Sequence, residues 1–216
     1  MDLIIFGGPN GSGKSTLVYD YLEAYEEREG SRLHFICPDN YTQFFDSYPT
    51  DVRYAMAMDE AAKDRYRAVR KGQSFAFETV FSTQDKINFV RFARTHGYYI
   101  LVYFITTSNP LINIERVHKR LSQGGHDVPK EKIIQRYHKS MNLLPEILFV
   151  ADEVVVSDNS ETNGLPVVIL HKVQDEYYFL NKGQRPEWCN NLKSYLSDQG
   201  QTIYDLSPEE TIEYFK

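Results

Sequence analysis

The sequence predicts an α/β fold in three layers, a mainly parallel sheet sandwiched between helices. Three observations carry this. Wholly apolar runs too short for helices, such as Leu3 to Phe6 and Tyr98 to Ile105, recur along the chain and suit strands buried on both faces. Stretches with apolar residues three and four apart separate them, so consecutive strands need crossover connections and lie parallel. Gly, Pro and Asn-Asp-Ser clusters punctuate the joins. In such sheets ligands bind beyond the carboxyl ends of the strands.

Leu3 to Phe6 is the first strand, and a glycine-rich loop follows it. From Ser15, Leu17, Val18, Tyr21, Leu22 and Tyr25 repeat at helical spacing, with Asp20, Glu23, Glu26 and Glu27 opposite. His34 to Cys37 is the second strand, and Pro38 turns the chain so that Asp39 stands at its tip. A helix runs from Asp51 to Lys71, with Val52, Ala55, Met56, Ala62, Tyr66 and Val69 as its buried face and Gly72 as its C-cap. Phe75 to Phe77 begins the third strand, which Glu78 and Thr79 end. Ser82 caps the next helix, Ile87, Val90 and Ala93 mark its inner side, and Gly97 stops it.

The fourth strand is Tyr98 to Ile105. Helices over Leu111 to Leu121 and Lys130 to about Met141 flank the loop from Gly124 to Pro129. Glu153 to Val156 is a fifth strand, closed by Asp158-Asn159-Ser160. Beyond residue 164 the pattern changes to a hairpin, Pro166 to Val173 with Glu176 to Leu180, and then to helices near Pro186 to Leu196 and Pro208 to Phe215. The expected organisation is a main domain over 1–164 with a small C-terminal appendage, 165–216, packed on it.

The 216 residues are 42% hydrophobic and 25% charged, which excludes a wholly disordered or fibrous chain. A formal charge of −6 supplies no general positive field, so neither nucleic acid nor an anionic membrane is an expected partner. Two cysteines, outside any CxxC pair, make no disulfide framework and no zinc site. With no basic leader and no apolar run of the ~18 residues a membrane span requires, a cytoplasmic location is expected.

The chemistry begins at Gly8-Pro9-Asn10-Gly11-Ser12-Gly13-Lys14-Ser15, which fits the P-loop pattern G-x-x-x-x-G-K-[ST] between the strand and helix it requires. The glycines let successive N–H groups face phosphate oxygens, and the helix N-terminus adds its positive dipole. Lys14 is positioned for the β- and γ-phosphates of ATP and Ser15 for Mg²⁺. Thr16 is assigned to the α-phosphate region or to the helix cap.

Hydrolysis, switching, transport and kinase chemistry all use such a loop, so the acceptor side must be read from the other strand tips. Asp39 is a candidate base or acceptor ligand, though Pro38-Asp39-Asn40 also suits an ordinary turn. Glu78 ends the apolar run FAFE and is placed either to hold Mg²⁺ through water or, with Thr79, to bind the acceptor. Asn113, Arg116 and Arg120 share one face of a helix whose other face carries Leu111, Ile114, Val117 and Leu121, and Arg136 follows on the next helix. The three arginines form a candidate lid over a transferring phosphoryl group, with a solvated helix surface as the plainer alternative. His126 is assigned no catalytic role.

With these residues laid out, the chain resembles the zeta-toxin-like P-loop kinases, in particular a small bacterial branch. The resemblance rests on GPNGSGKST at Gly8, CPDN at Cys37, FETVFS at Phe77, NIERVHKRLSQGGHDVP at Asn113, Arg136-Tyr137 and DNS at Asp158, spanning about Leu3 to Ser160. It implies a nucleoside-kinase-like P-loop NTPase sheet and phosphorylation of a hydroxyl on a small molecule, which in zeta toxins proper is a UDP-linked amino sugar. It also implies Asp39 as base, Lys14 as phosphate lysine, Glu78 as acceptor-binding acid and Arg116, Arg120 and Arg136 as charge stabilisers. Val80 departs from the toxins, which place a polar acceptor contact there. No antidote partner is identified by the sequence. A kinase is the leading expectation; a nucleotide-dependent switch or slow ATPase without an acceptor is the alternative.

Overall fold

A computed structural model describes residues 1–121, 128–161 and 165–216. His126, most of the loop starting at Gly124 and the expected boundary at Gly164 lie outside the described residues. No helix among the described residues is long and apolar enough to cross a membrane.

Apolar side chains on both faces place β1 (Asp2–Gly7) in the interior of one eight-stranded sheet, third from one edge: Leu3, Ile5 and Phe6 are completely buried. β3 (Phe75–Thr79) and β4 (Tyr99–Thr106) flank it, β2 (His34–Ile36) borders β3 and β5 (Glu153–Asp158) borders β4, all in parallel. The register sets Phe6 beside Glu78 and Gly7 beside Thr79, so the glycine loop leaves β1 next to both residues.

The sheet continues past β5. β6 (Val167–Val173) runs antiparallel to β5, β7 (Glu176–Phe179) antiparallel to β6, and β8 (Thr202–Asp205) parallel to β7. The hairpin read from sequence therefore extends the main sheet. β8 is an element the sequence reading did not contain: TIYD is short and half exposed, without the apolar run that marks the other strands.

Helices cover both faces. On one, α1 (Lys14–Glu29) packs Val18, Tyr21 and Tyr25 against Ile4, Phe6 and Tyr103. α8 (Pro208–Tyr214) covers the same face further along, with the Tyr214 ring 4.7 Å from that of Tyr178. On the other face the core joins Leu3, Ile5, Phe75 and Phe77 to α3 (Thr50–Lys71), α4 (Gln84–Thr95), α6 (Lys130–Val150) and α7 (Trp188–Asp198). α2 (Asp39–Thr42) is a single turn after β2, and α5 (Pro110–Leu121) packs Ile114 and Val117 on Ile133 of α6.

Four expectations need correction. The buried face of α3 is Ala57, Ala61, Arg65, Ala68 and Val69, while Val52, Ala55 and Tyr66 are exposed. Small side chains bring this helix close to the sheet, and Arg65 fills the remaining gap. α4 starts from Thr83, not Ser82. α6 runs past Met141 and through Pro145 to Val150. An interior proline costs about 3 kcal/mol, but burying Leu144, Ile147 and Leu148 contributes about 1.5–3 kcal/mol each and outweighs it. In α5, Asn113 is buried with Ile114 and Val117, whereas Leu111 and Leu121 are exposed.

Candidate active site

The loop after β1 is shaped by close approaches. At Gly8 φ is 135°, and a Cβ there would stand 1.9 Å from the carbonyl oxygen of Ile105. Gly13, at φ 100°, is the N-cap of α1, and a Cβ on it would meet Asn159 Nδ2 at 2.4 Å. Both positions demand glycine. Between them the carbonyl of Pro9 accepts from Ser12 N at 3.3 Å and from Lys14 Nζ at 2.8 Å. α1 opens with no side-chain cap and no acid in its first turn, so its N–H groups and positive dipole end are uncompensated.

Lys14 is only 5% exposed, and desolvation lowers its pKa. Glu78 opposes that shift from an ion pair at 3.8 Å, while Arg120 and Arg136 add to it. Ser12 Oγ is sealed from solvent without a hydrogen-bond partner among the described residues. A desolvated ammonium, an unsatisfied hydroxyl, a bare helix N-terminus and two further cations fit a chain of phosphates. Ser15 Oγ donates to Glu78 Oε2 at 3.2 Å, which brings together two hard oxygen ligands suited to Mg²⁺. No group of three or more His, Cys, Asp or Glu that could hold a metal stands among the described residues. Thr16 is exposed on the first turn of α1.

Asp39, expected at the tip of the second strand, follows β2 but stands three residues beyond its end, where it opens α2. Its Oδ1 accepts a 2.6 Å hydrogen bond from the hydroxyl of Tyr54 on α3. Cys37 links the two carboxylates: burial, helped by the nearby charges of Asp39 and Glu78, pushes its thiol up to about 11. Tyr54 in turn feels the charge of Arg120. Asp39, Tyr54, Cys37, Glu78, Lys14 and Arg120 thus surround one region at the carboxyl ends of β1, β2 and β3. Thr79 Oγ1 accepts from Phe81 N at 3.4 Å, holding its own chain's turn.

The arginines divide. Arg136 Nη1 donates to Asn10 Oδ1 of the loop at 3.3 Å, and burial lowers its pKa. Arg120 is exposed, within electrostatic reach of Lys14. Arg116 sits elsewhere: its two terminal nitrogens donate to the carbonyls of Asn159 at 2.6 Å and Glu161 at 3.1 Å, fastening α5 to the segment after β5.

Two asparagines hold the loop from outside. Asn113, fully buried, donates Nδ2 to the carbonyl of Asn10 at 2.7 Å, while its Oδ1 accepts from Thr107 Oγ1. Asn159 Nδ2 donates to the carbonyl of Ser12 at 2.9 Å. Asn113 therefore supports the loop and is not part of a solvated lid face. The role of Tyr54 carried no sequence signal, since its partner lies fifteen residues away on another helix.

The zeta toxin family model matches residues 2–165 of the chain. An uncharacterized protein of Haemophilus influenzae is 26% identical over 136 residues, which are 62% of this chain and 91% of that protein. Among solved structures, one from the PezAT chromosomal toxin–antitoxin system of Streptococcus pneumoniae is similar with a TM-score of 0.51 at 16% identity, over 73% of this chain and 67% of that one. The AvrRxo1-ORF1:AvrRxo1-ORF2 complex with sulphate ions is similar with a TM-score of 0.63 at 12% identity, over 89% of this chain. The match spans 62% of that longer chain. At these identities the structural likeness establishes the fold alone, a mainly parallel α/β sheet covered by helices.

Proposed function

Because the chain belongs to the zeta toxin family, we propose that it is an ATP-dependent phosphotransferase moving the γ-phosphoryl group of ATP to a hydroxyl of a small molecule. The observation that carries this reading is the convergence of a buried Lys14, Arg120 and Arg136 at the α1 N-terminus with Asp39 nearby, a carboxylate already held by a hydrogen bond.

In this reading the loop from Gly8 to Thr16 binds the phosphates through its N–H groups, and Lys14 exchanges its contact with the Pro9 carbonyl for phosphate oxygens. Ser15, with Glu78 through water, would hold Mg²⁺, which supplies neutralising charge when bound. Asp39 accepts the proton of the acceptor hydroxyl on its carboxylate while Tyr54 keeps that carboxylate in one orientation. Arg120 and Arg136 offset the negative charge that spreads over the transferring group. Glu78 and Thr79 border the acceptor on β3. A nucleotide sugar is the first acceptor class to test.

Phosphate transfer from ATP to a panel of nucleotide sugars, sugars and nucleosides tests the proposal. Transfer to at least one hydroxyl acceptor is the expected result. ATP hydrolysis that no acceptor alters would replace it with the slow ATPase or switch, a reading favoured by the exposure of Asp39 to water.

A further inference from the structure

Arg65 lies in the core side of α3 with only 7% of its surface exposed, yet it makes no hydrogen bond and no ion pair among the described residues. Its guanidinium carbon stands 5.0 Å from the Phe77 ring centre and 5.9 Å from that of Phe89. Stacking of this kind covers the faces of a guanidinium and leaves its in-plane N–H donors open. The groups nearest in charge are engaged elsewhere: Asp85 pairs with Lys86 at 2.5 Å, and the Tyr41 hydroxyl donates to Asp64 at 2.6 Å.

The position is as telling as the missing partner. Phe77 and Thr79 project from the same face of β3, with Thr79 one step nearer the carboxyl end where the loop and Glu78 stand. A side chain on a helix points toward the helix N-terminus, and for α3 that is the end carrying Tyr54 and its partner Asp39.

We propose that Arg65 anchors an oxyanion of the acceptor molecule, a phosphate ester or a carboxylate, so that the acceptor is an acidic hydroxyl compound. This rests on the kinase reading. The in-plane fork of the guanidinium matches two oxygens of such a group, and the phenyl rings keep the fork oriented.

The test uses the whole chain with its nucleotide loop filled by Mg²⁺ and a non-hydrolysable ATP analogue. The Nε–H resonance of Arg65, traced along its own side chain in isotope-labelled protein, is followed during titration with inorganic phosphate and, separately, with acetate. Sodium chloride at equal ionic strength is the control. A saturable displacement in the millimolar range with phosphate or acetate, absent with chloride, is expected. An unmoved resonance, or one that chloride moves equally, overturns the inference and identifies Arg65 as a packing residue. Transfer to a neutral hydroxyl acceptor without this displacement also refutes it, while leaving the kinase reading intact. Saturable displacement in a chain that transfers nothing does the reverse.

Discussion

The hydroxyl of Tyr54 donates to Asp39 Oδ1 across 2.6 Å, joining the one-turn helix α2 to the first turns of α3. That bond fixes the orientation of the carboxylate. Asp39→Asn should keep ATP binding while transfer falls by ~10²-fold or more, because the amide cannot accept the proton. Tyr54→Phe should lower kcat by roughly ten-fold with little change in the KM for ATP, since only orientation is lost. Steady-state kinetics with calorimetric ATP binding checks both. Loss of ATP affinity in Asp39→Asn would turn the residue into a metal ligand.

Lys14→Met should abolish saturable ATP binding, because the phosphates lose their buried cation. Its melting temperature without nucleotide should equal or exceed that of the parent, since the variant no longer buries an ammonium whose charge desolvation opposes. Differential scanning calorimetry with and without Mg·ATP separates the two effects. A variant that binds ATP normally sinks the assignment.

The arginines should part company when each is changed to alanine. Arg120 and Arg136 variants are expected to lose ~10²-fold in turnover with near-normal ATP binding, and lysine should rescue them poorly. Arg116→Ala removes two hydrogen bonds from a charged donor to backbone carbonyls and should cost about 1–3 kcal/mol of stability. Urea denaturation beside transfer assays shows whether Arg116 belongs to the scaffold or to the chemistry. Full stability with lost turnover would move it to the chemistry.

Gly13→Ala places a methyl group 2.4 Å from Asn159 Nδ2 at a φ of 100°. About 1–3 kcal/mol of strain is expected, together with weaker ATP binding as the loop shifts. A variant with parental stability and affinity would show that the loop relaxes freely.

Burial raises the thiols of Cys37 and Cys189, to about 11 and about 12. An unfolded thiol ionises near ~8.5, so above that pH the unfolded state loses protons that the folded state keeps. Stability contributed by the neutral thiols is complete below pH ~8.5 and falls by up to ~1.4 kcal/mol per pH unit for each thiol as pH rises toward the folded values. Tyrosines raised in the same sense, such as Tyr41 and Tyr54, add to the loss above pH ~10. Neither thiol should react with a disulfide reagent at pH 8 until denaturant is added. Rapid labelling of the native chain would contradict this.

The parallel sheet and the phosphate loop were legible in the sequence because both are local. Strand, glycines, lysine and helix occupy residues 2–29, and apolar runs mark β3, β4 and β5 by themselves. What escaped depends on tertiary placement. Asn113 and Arg116 lie three residues apart on α5, yet one is buried beneath the loop and the other ties down a distant segment. The inner face of α3 was misread because three alanines and an arginine, rather than the larger Val52, Met56 and Tyr66, fit against the sheet. Tyr54 and Arg65 gain significance only from what they meet across the fold.

The two outermost strands of the sheet, β2 and β8, are three and four residues long. An open border of that length offers an incoming strand few unpaired N–H and C=O groups, so the fold resists edge-to-edge aggregation despite a nearly continuous apolar interior. An extended peptide meeting either border would find little free backbone on which to add a strand.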